Sequence, residues 1–316
     1  ADACCNPYIA FKLLLAAGFE GISRKDSSMF DTSKKTNCDN SGNQPLPTSL
    51  SEAVSIAKSS EFVKNNLSEE IIKVGRSENA VKVDACILTF SHVILKYVLE
   101  TFQCKKIGDL YSSNGANPVY VFEYENRCFA VYMSCVGAPA CVADIEDTLS
   151  IINTDKYVVF GGSGCLNKDI ARGKVMVPTE AYRDEGTSYH YVPASDYITI
   201  KNADVVAKFM ETVGLPFVKG KTWTTDAVHR ETSANFEKHK ADGCISVEME
   251  CAAIQAMCDY RELNAYFFFT CGDLLDAPKW DARMKKNQVS IRSMIQNILI
   301  LLLSWLVILW NRELEI

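Results

Sequence analysis

The chain has 316 residues, 48% of them hydrophobic, enough to bury a core of ordinary density in one large domain or two small ones. A formal charge of -6 and a pI near 5.4 lack the basic excess that a phosphate backbone demands, which excludes a nucleic-acid partner and points to a small-molecule ligand. Thirteen cysteines, odd in number and free of CxxC spacing, and four histidines without HExxH spacing, argue against a disulfide framework, a zinc site and any metal or organic cofactor. Cys86, Cys165, Cys251, Cys258 and Cys271 fall inside apolar segments, as reduced core thiols of a cytoplasmic protein would.

In chain order, Tyr8 to Phe19 is moderately apolar but carries Lys12 and lacks a basic start, so it does not read as a signal peptide. Ser23 to Ser51 is polar, ends in Pro45 and Pro47, and reads as a mobile linker within an N-terminal extension of residues 1–80. Helices are expected from Glu52 to Ser60 and from Ser68 to Val74. A main domain then spans 81–316, in which short β-rich runs alternate with helical patterns. The strands are Ala85 to Phe90, a hairpin of Val119 to Tyr124 with Phe129 to Ser134, Tyr157 to Phe160, Lys174 to Val177, Phe217 to Thr225, Ile245 to Met249 and Ala265 to Cys271. The helices are Val93 to Phe102, Ala140 to Ile152, Ala203 to Val213 and Cys251 to Tyr260. This alternation predicts an α/β fold, three-layer αβα with a mixed central sheet. Ile298 to Trp310 is apolar but shorter than the roughly 20 residues that cross a bilayer, so a helix packed on the domain is expected and a membrane partner is not.

Ligands of such sheets sit at strand ends, and four stretches there could carry chemistry. Phe160-Gly161-Gly162-Ser163-Gly164 follows a predicted strand; its glycines either let backbone N–H groups approach a ligand or simply make a tight turn. Val247-Glu248-Met249-Glu250-Cys251 sets two carboxylates in an apolar strand-to-helix passage, suited to ribose hydroxyls or, alternatively, to a helix N-terminus. Cys271-Gly272-Asp273 follows the most apolar strand, where an aspartate can hold a proton for a departing nitrogen or form a Gly-Asp turn, and Asp276 could be a helix cap. Tyr182 to Pro193 is polar and aromatic between apolar strands, offering Arg183 to an anion and aromatic faces to a base, or pairing Arg183 with Asp184 or Glu185 in a solvated loop.

In this order, the four stretches resemble the nucleoside phosphorylase superfamily of purine nucleoside phosphorylases, uridine phosphorylases and nucleosidases, over about Val83 to Asp276. Val247 to Glu250 is similar to the family's VEME signature, which implies Met249 under the ribose, Glu250 on its 2′- and 3′-hydroxyls and Glu248 beside them. Asp273 matches the purine-handling aspartate, the implied catalytic group. Val228 stands where the family often has an aromatic residue on the base, with His229 or Tyr191 as substitutes, and Ser134 opens a stretch resembling the glycine-rich turn of bacterial uridine phosphorylases. The family's phosphate arginines are absent: Leu95 or Lys96 and Val159 stand at two of the places, and no Lys or Arg lies between Ile107 and Asn126 where a neighbouring subunit's would fall. An atypical phosphate site of Gly162, Ser163, Lys96 and Arg183 is therefore expected. The resemblance implies phosphorolysis of a ribonucleoside, purine favoured and uridine possible, with inorganic phosphate as co-substrate and a homo-oligomeric assembly. Hydrolysis by water and non-catalytic nucleoside binding or storage are the alternatives.

Overall fold

The run Ala-Cys-Ile-Leu-Thr is buried at every position as strand β2 (Ala85–Thr89), the pattern of a strand covered on both faces. It lies between two parallel neighbours, β5 (Arg127–Met133) and β7 (Lys156–Cys165), at the centre of a ten-stranded mixed sheet. A computed structural model of the chain describes Ser60, residues 73–113 and residues 115–282. The expected linker, the helices at 52–60 and 68–74, and the apolar segments at 8–19 and 298–310 lie outside those residues, apart from Ser60, Lys73 and Val74, which take no regular structure.

Beyond β5 the sheet continues antiparallel through β4 (Gly115–Tyr124) to the edge strand β3 (Lys105–Ser112). On the other side β7 runs parallel to β12 (Asn264–Leu274), followed by β8 (Val175–Asp184), β10 (Phe217–Thr225) and β11 (Cys244–Glu248), with the short β9 (Tyr197–Thr199) on β8. β11 then pairs antiparallel with β7, Val247 opposite Gly164, so these five strands close on themselves. A two-residue ladder joins β1 (Val81–Lys82) to β6 (Ile152–Asn153). Five helices complete the αβα layers among the described residues: α1 (His92–Thr101), α2 (Ala138–Thr148), α3 (Ala203–Thr212), α4 (Ser233–Ala241) and α5 (Cys251–Arg261). Buried phenylalanines, including the stacked pair Phe160 and Phe268 at 5.1 Å, fill the core between β7 and β12.

The structure corrects three expectations. The glycine run is not a loop after a strand but the second half of β7, where Gly161, Gly162 and Ser163 pair with Phe269, Thr270 and Cys271. A Cβ on Gly164 would sit 2.8 Å from Val247 Cγ1 and 2.9 Å from Leu275 Cδ1, so glycine here serves the close approach of β11. Asp273 likewise belongs to β12, in an irregular stretch between the paired residues Cys271 and Leu274. Tyr182 to Asp184 end β8 rather than begin a loop, and only Thr187–His190 beyond them form a 3-10 turn. All ten described cysteines are free, and seven are buried, among them the five expected in the core.

Candidate active site

Closure of β11 onto β7 puts the end of β11, the glycine run and the end of β12 around one cavity of about 980 Å³. Gly162, Ser163, Glu248, Met249, Glu250, Val228, His229 and Asp273 all line it. Three of the exposed large hydrophobics, Val136, Val228 and Trp280, stand at its edge. An apolar rim around a polar floor suits a ligand with a flat hydrophobic part and a hydroxylated part.

One end is built around Glu250. The residue is buried and stands at the N-cap position of α5, where its Oε1 accepts the backbone N–H of Gly137 at 2.7 Å. Gly137 has φ of +101°, a conformation that glycine adopts without strain and that lets its N–H face Glu250. Burial pushes the Glu250 carboxyl up, and the N–H groups of Gly137 and Met249 pull it back. Glu248 has a different task. Its Oε2 accepts the backbone N–H groups of Glu250 at 2.8 Å and Cys251 at 2.6 Å, and its Oε1 accepts the Thr224 hydroxyl at 2.6 Å. The strand-to-helix turn is thereby pinned to β10, which fixes where Glu250 stands. Deep burial raises the Glu248 carboxyl to about 8, the charge of Glu250 adding to the shift.

At the other end Asp273 Oδ2 accepts the indole N–H of Trp280 at 2.7 Å. Glu231, at the end of the 3-10 turn Val228–Arg230, also faces the cavity, and burial together with the charge of Asp273 raises its carboxyl to about 7. Lys168 lines this side too; its backbone N–H reaches Asp276, which also pairs with Lys240 at 2.9 Å. Asp276 thus ties the Lys168 turn to α4, with no helix following it among the described residues. Between the ends lies Ser163, whose Oγ is buried and without a hydrogen-bond partner. Beside it Gly162 leaves open space where a Cβ would stand.

Four residues expected at the site are elsewhere. The Lys96 side chain is 70% exposed on α1 and pairs with Glu100 at 3.6 Å, because the buried face of that helix carries Ile94 and Val98. Arg183 is buried, and its guanidinium donates to Ser188 Oγ at 2.8 Å, Pro193 O at 2.7 Å and Ser195 Oγ at 2.9 Å while lying 4.1 Å over the Tyr189 ring. It neither meets an anion nor pairs with Asp184 or Glu185; it fastens the 185–195 segment, and desolvation lowers its pKa. Ser134 is buried away from the cavity, within 3.3 Å of Asp144 Oδ2. Tyr191, offered as a base-stacking substitute, reaches Glu146 Oε2 at 3.0 Å and packs edge-on against Tyr260. Arg183→Met should therefore lower stability by about 1–3 kcal/mol, the cost of unpaired buried acceptors, and leave the KM for phosphate unmoved. Thermal denaturation alongside phosphate titration separates the two effects.

Phe90, Lys168, Glu231, Phe236 and Trp280 line the cavity without having been singled out in the sequence. No motif marks them; only the fold brings them in. No group of three or more His, Cys, Asp or Glu that could hold a metal occurs among the described residues, nor a helix long and apolar enough to cross a membrane.

A mixed sheet closed at one end, with Glu250 at the start of α5 and Asp273 near the end of β12 lining one cavity, defines an α/β protein whose candidate site lies at its strand ends. Residues 93–302 match the family described as the phosphorylase superfamily, and the chain belongs to it. It is 22% identical over 209 residues to a "Purine nucleoside phosphorylase DeoD-type" of an Exiguobacterium species, covering 65% of this chain and 86% of that one. It is also 22% identical over 161 residues to a guanosine phosphorylase of Halorubrum lacusprofundi (50% and 66%) and 26% over 110 residues to a uridine phosphorylase of Thermococcus kodakarensis (34% and 39%). Residues 1–76 match a different family, the glutamine synthetase catalytic domain. Over 77 residues the chain is 40% identical to the glutamine synthetase of Methanosarcina mazei, which is 22% of this chain and 17% of that one.

Proposed function

We propose that this chain cleaves the N-glycosidic bond of a ribonucleoside, purine in preference to uridine, with phosphate as nucleophile, releasing free base and ribose 1-phosphate. The observation that carries the reading is the single cavity with Glu250 and Met249 at one end and Asp273 at the other. Glu250 keeps one oxygen on Gly137 and turns the other to the ribose hydroxyls, and its charge stabilises the positive charge that develops on the sugar. Asp273 hydrogen-bonds a ring nitrogen of the base, and Val228, His229 and Trp280 cover its faces. Phosphate approaches C1′ from the side of Gly162 and Ser163, where Gly162 leaves open space. Assembly as a homo-oligomer belongs to the same reading.

One observation favours water as nucleophile instead. Among the described residues lining the cavity there is no arginine, and Lys168 is held near Asp276, towards the base end. A dianion there lacks the charge-assisted donors that usually hold it. A panel of purine and pyrimidine nucleosides, followed for free base with and without phosphate, tests both. Base release should fall to background when phosphate is omitted; release that continues at the full rate replaces phosphorolysis by hydrolysis. Tight binding with no release in either buffer means a nucleoside-binding or storage protein.

A further inference from the structure

The base end of the cavity holds two carboxyl groups in unlike surroundings. Asp273 Oδ2 already receives the Trp280 N–H at 2.7 Å. Glu231 is partly buried in the same cavity, and its side chain receives no hydrogen bond and joins no ion pair among the described residues. It lies in the segment that fixes it from both sides, between the 3-10 turn carrying Val228 and His229 and the N-cap Thr232 of α4, whose hydroxyl accepts the N–H of Asn235. Of the two, Glu231 is the one whose carboxyl oxygens are uncommitted among the described residues, so it can present its O–H to a ligand in the cavity.

We propose that Glu231 is the acid that delivers the proton to the departing base, while Asp273, tied to Trp280, orients it. This rests on the N-glycosidic reading above. As the bond between C1′ and the base nitrogen breaks, its electron pair passes into the base. The Glu231 O–H breaks and its proton binds a ring nitrogen of the base, while the nucleophile's oxygen bonds to C1′. Glu231 is left as a carboxylate and regains a proton from solvent at the open rim.

The titratable groups around it are Asp273 on β12, Asp276 just after β12, His229 on its own turn, Glu237 on α4, Lys168 after β7, Glu248 at the end of β11 and Glu250 at the N-cap of α5. Asp273 is the one whose charge bears on Glu231, and with burial it raises the carboxyl to about 7. The donor form therefore predominates below that value and is lost above it.

The test compares wild type, Glu231→Gln and Asp273→Asn on a purine ribonucleoside and on its N7-methylated analogue, whose base leaves without needing a proton. For wild type, turnover of the unmodified nucleoside should fall as pH rises through about 7, as the Glu231 proton is titrated away. Glu231→Gln should lose about 10²-fold or more on the unmodified nucleoside and stay within a few-fold of wild type on the methylated one, the signature of general-acid loss. Glu231→Asp, which keeps the acid, should recover part of the selective loss. A variant equally slow on both substrates, or unchanged on both, overturns the assignment, as does the same selective loss in Asp273→Asn. Wild type that releases base from neither nucleoside overturns the N-glycosidic reading and this one with it, whereas wild-type turnover with an unmoved Glu231→Gln overturns this one alone.

Discussion

Glu250→Gln should lower kcat/KM for nucleoside cleavage by about 10²- to 10³-fold, or about 2.7–4 kcal/mol of transition-state stabilisation, with little change in thermal midpoint. The amide oxygen can still accept the Gly137 N–H now held at 2.7 Å, so the join between the start of α2 and the start of α5 survives. What disappears is the second carboxylate oxygen as an acceptor for ribose and the negative charge beside the developing oxocarbenium ion. That charge is effective because Glu250 is buried, and a buried carboxylate acts through a lower dielectric than an exposed one. A 2′-deoxynucleoside, with one hydroxyl fewer for Glu250 to hold, should lose less on the substitution than the ribonucleoside. Steady-state kinetics on the two substrates decide the matter, and near-wild-type turnover by the variant would remove Glu250 from the chemistry.

The sequence exposes what is local. Ala85 to Phe90 is read to within one residue because it is an apolar run, and Phe217 to Thr225 end to end because Gly214 and Pro216 precede it and β-branched and aromatic residues fill most of it. Edge strand β3, Lys-Lys-Ile-Gly-Asp-Leu-Tyr-Ser, escapes because only Leu110 is buried and the rest shows no alternation. Helix α4 escapes because it is polar nearly all round, with His239 its one buried residue. β7 and β8 run past their expected ends because pairing with β12 and β10 carries the chain through Gly161 to Gly164 and through Arg183 to Asp184. Such pairing is long-range and leaves no local mark.

The site divides the same way. Glu248, Met249 and Glu250 are legible as consecutive residues, but their division of labour is not, since direction along the turn decides which carboxylate is buried against donors. Lys96 and Arg183 show that charge can be read from sequence and its direction cannot: one faces solvent, the other is held by two serines and a proline carbonyl. Glu231 and Trp280 lie on the two segments that flank Asp273 in space, which no spacing rule joins to it. Residues 1–76 resemble part of another enzyme family and carry none of the constellations that pointed to chemistry in the main domain.

Glu248→Ala should be the most destabilising single change at the site, costing about 3–5 kcal/mol, although Glu248 makes no contact that the proposed chemistry needs. Its removal strands three donors in a dry place: the N–H groups of Glu250 and Cys251 and the hydroxyl of Thr224, which also accepts the N–H of Ala252. For a domain of this size that corresponds to a fall in thermal midpoint of about 8–15 °C. Activity should fall with it at temperatures where the protein is still folded, because the turn that places Glu250 is no longer tied to β10. Glu248→Gln keeps an acceptor oxygen for the two N–H groups and should cost much less. The carboxyl has a folded-state value of about 8, above the 4.5 of free glutamate, so its contribution to stability is complete below about pH 4.5 and fades as pH rises through about 8. The glutamine variant, which cannot ionise, escapes that loss, so denaturant melts should show its deficit against wild type narrowing towards alkaline pH. A deficit that stays constant across that range would mean that the carboxyl is ionised throughout, held so by its three donors.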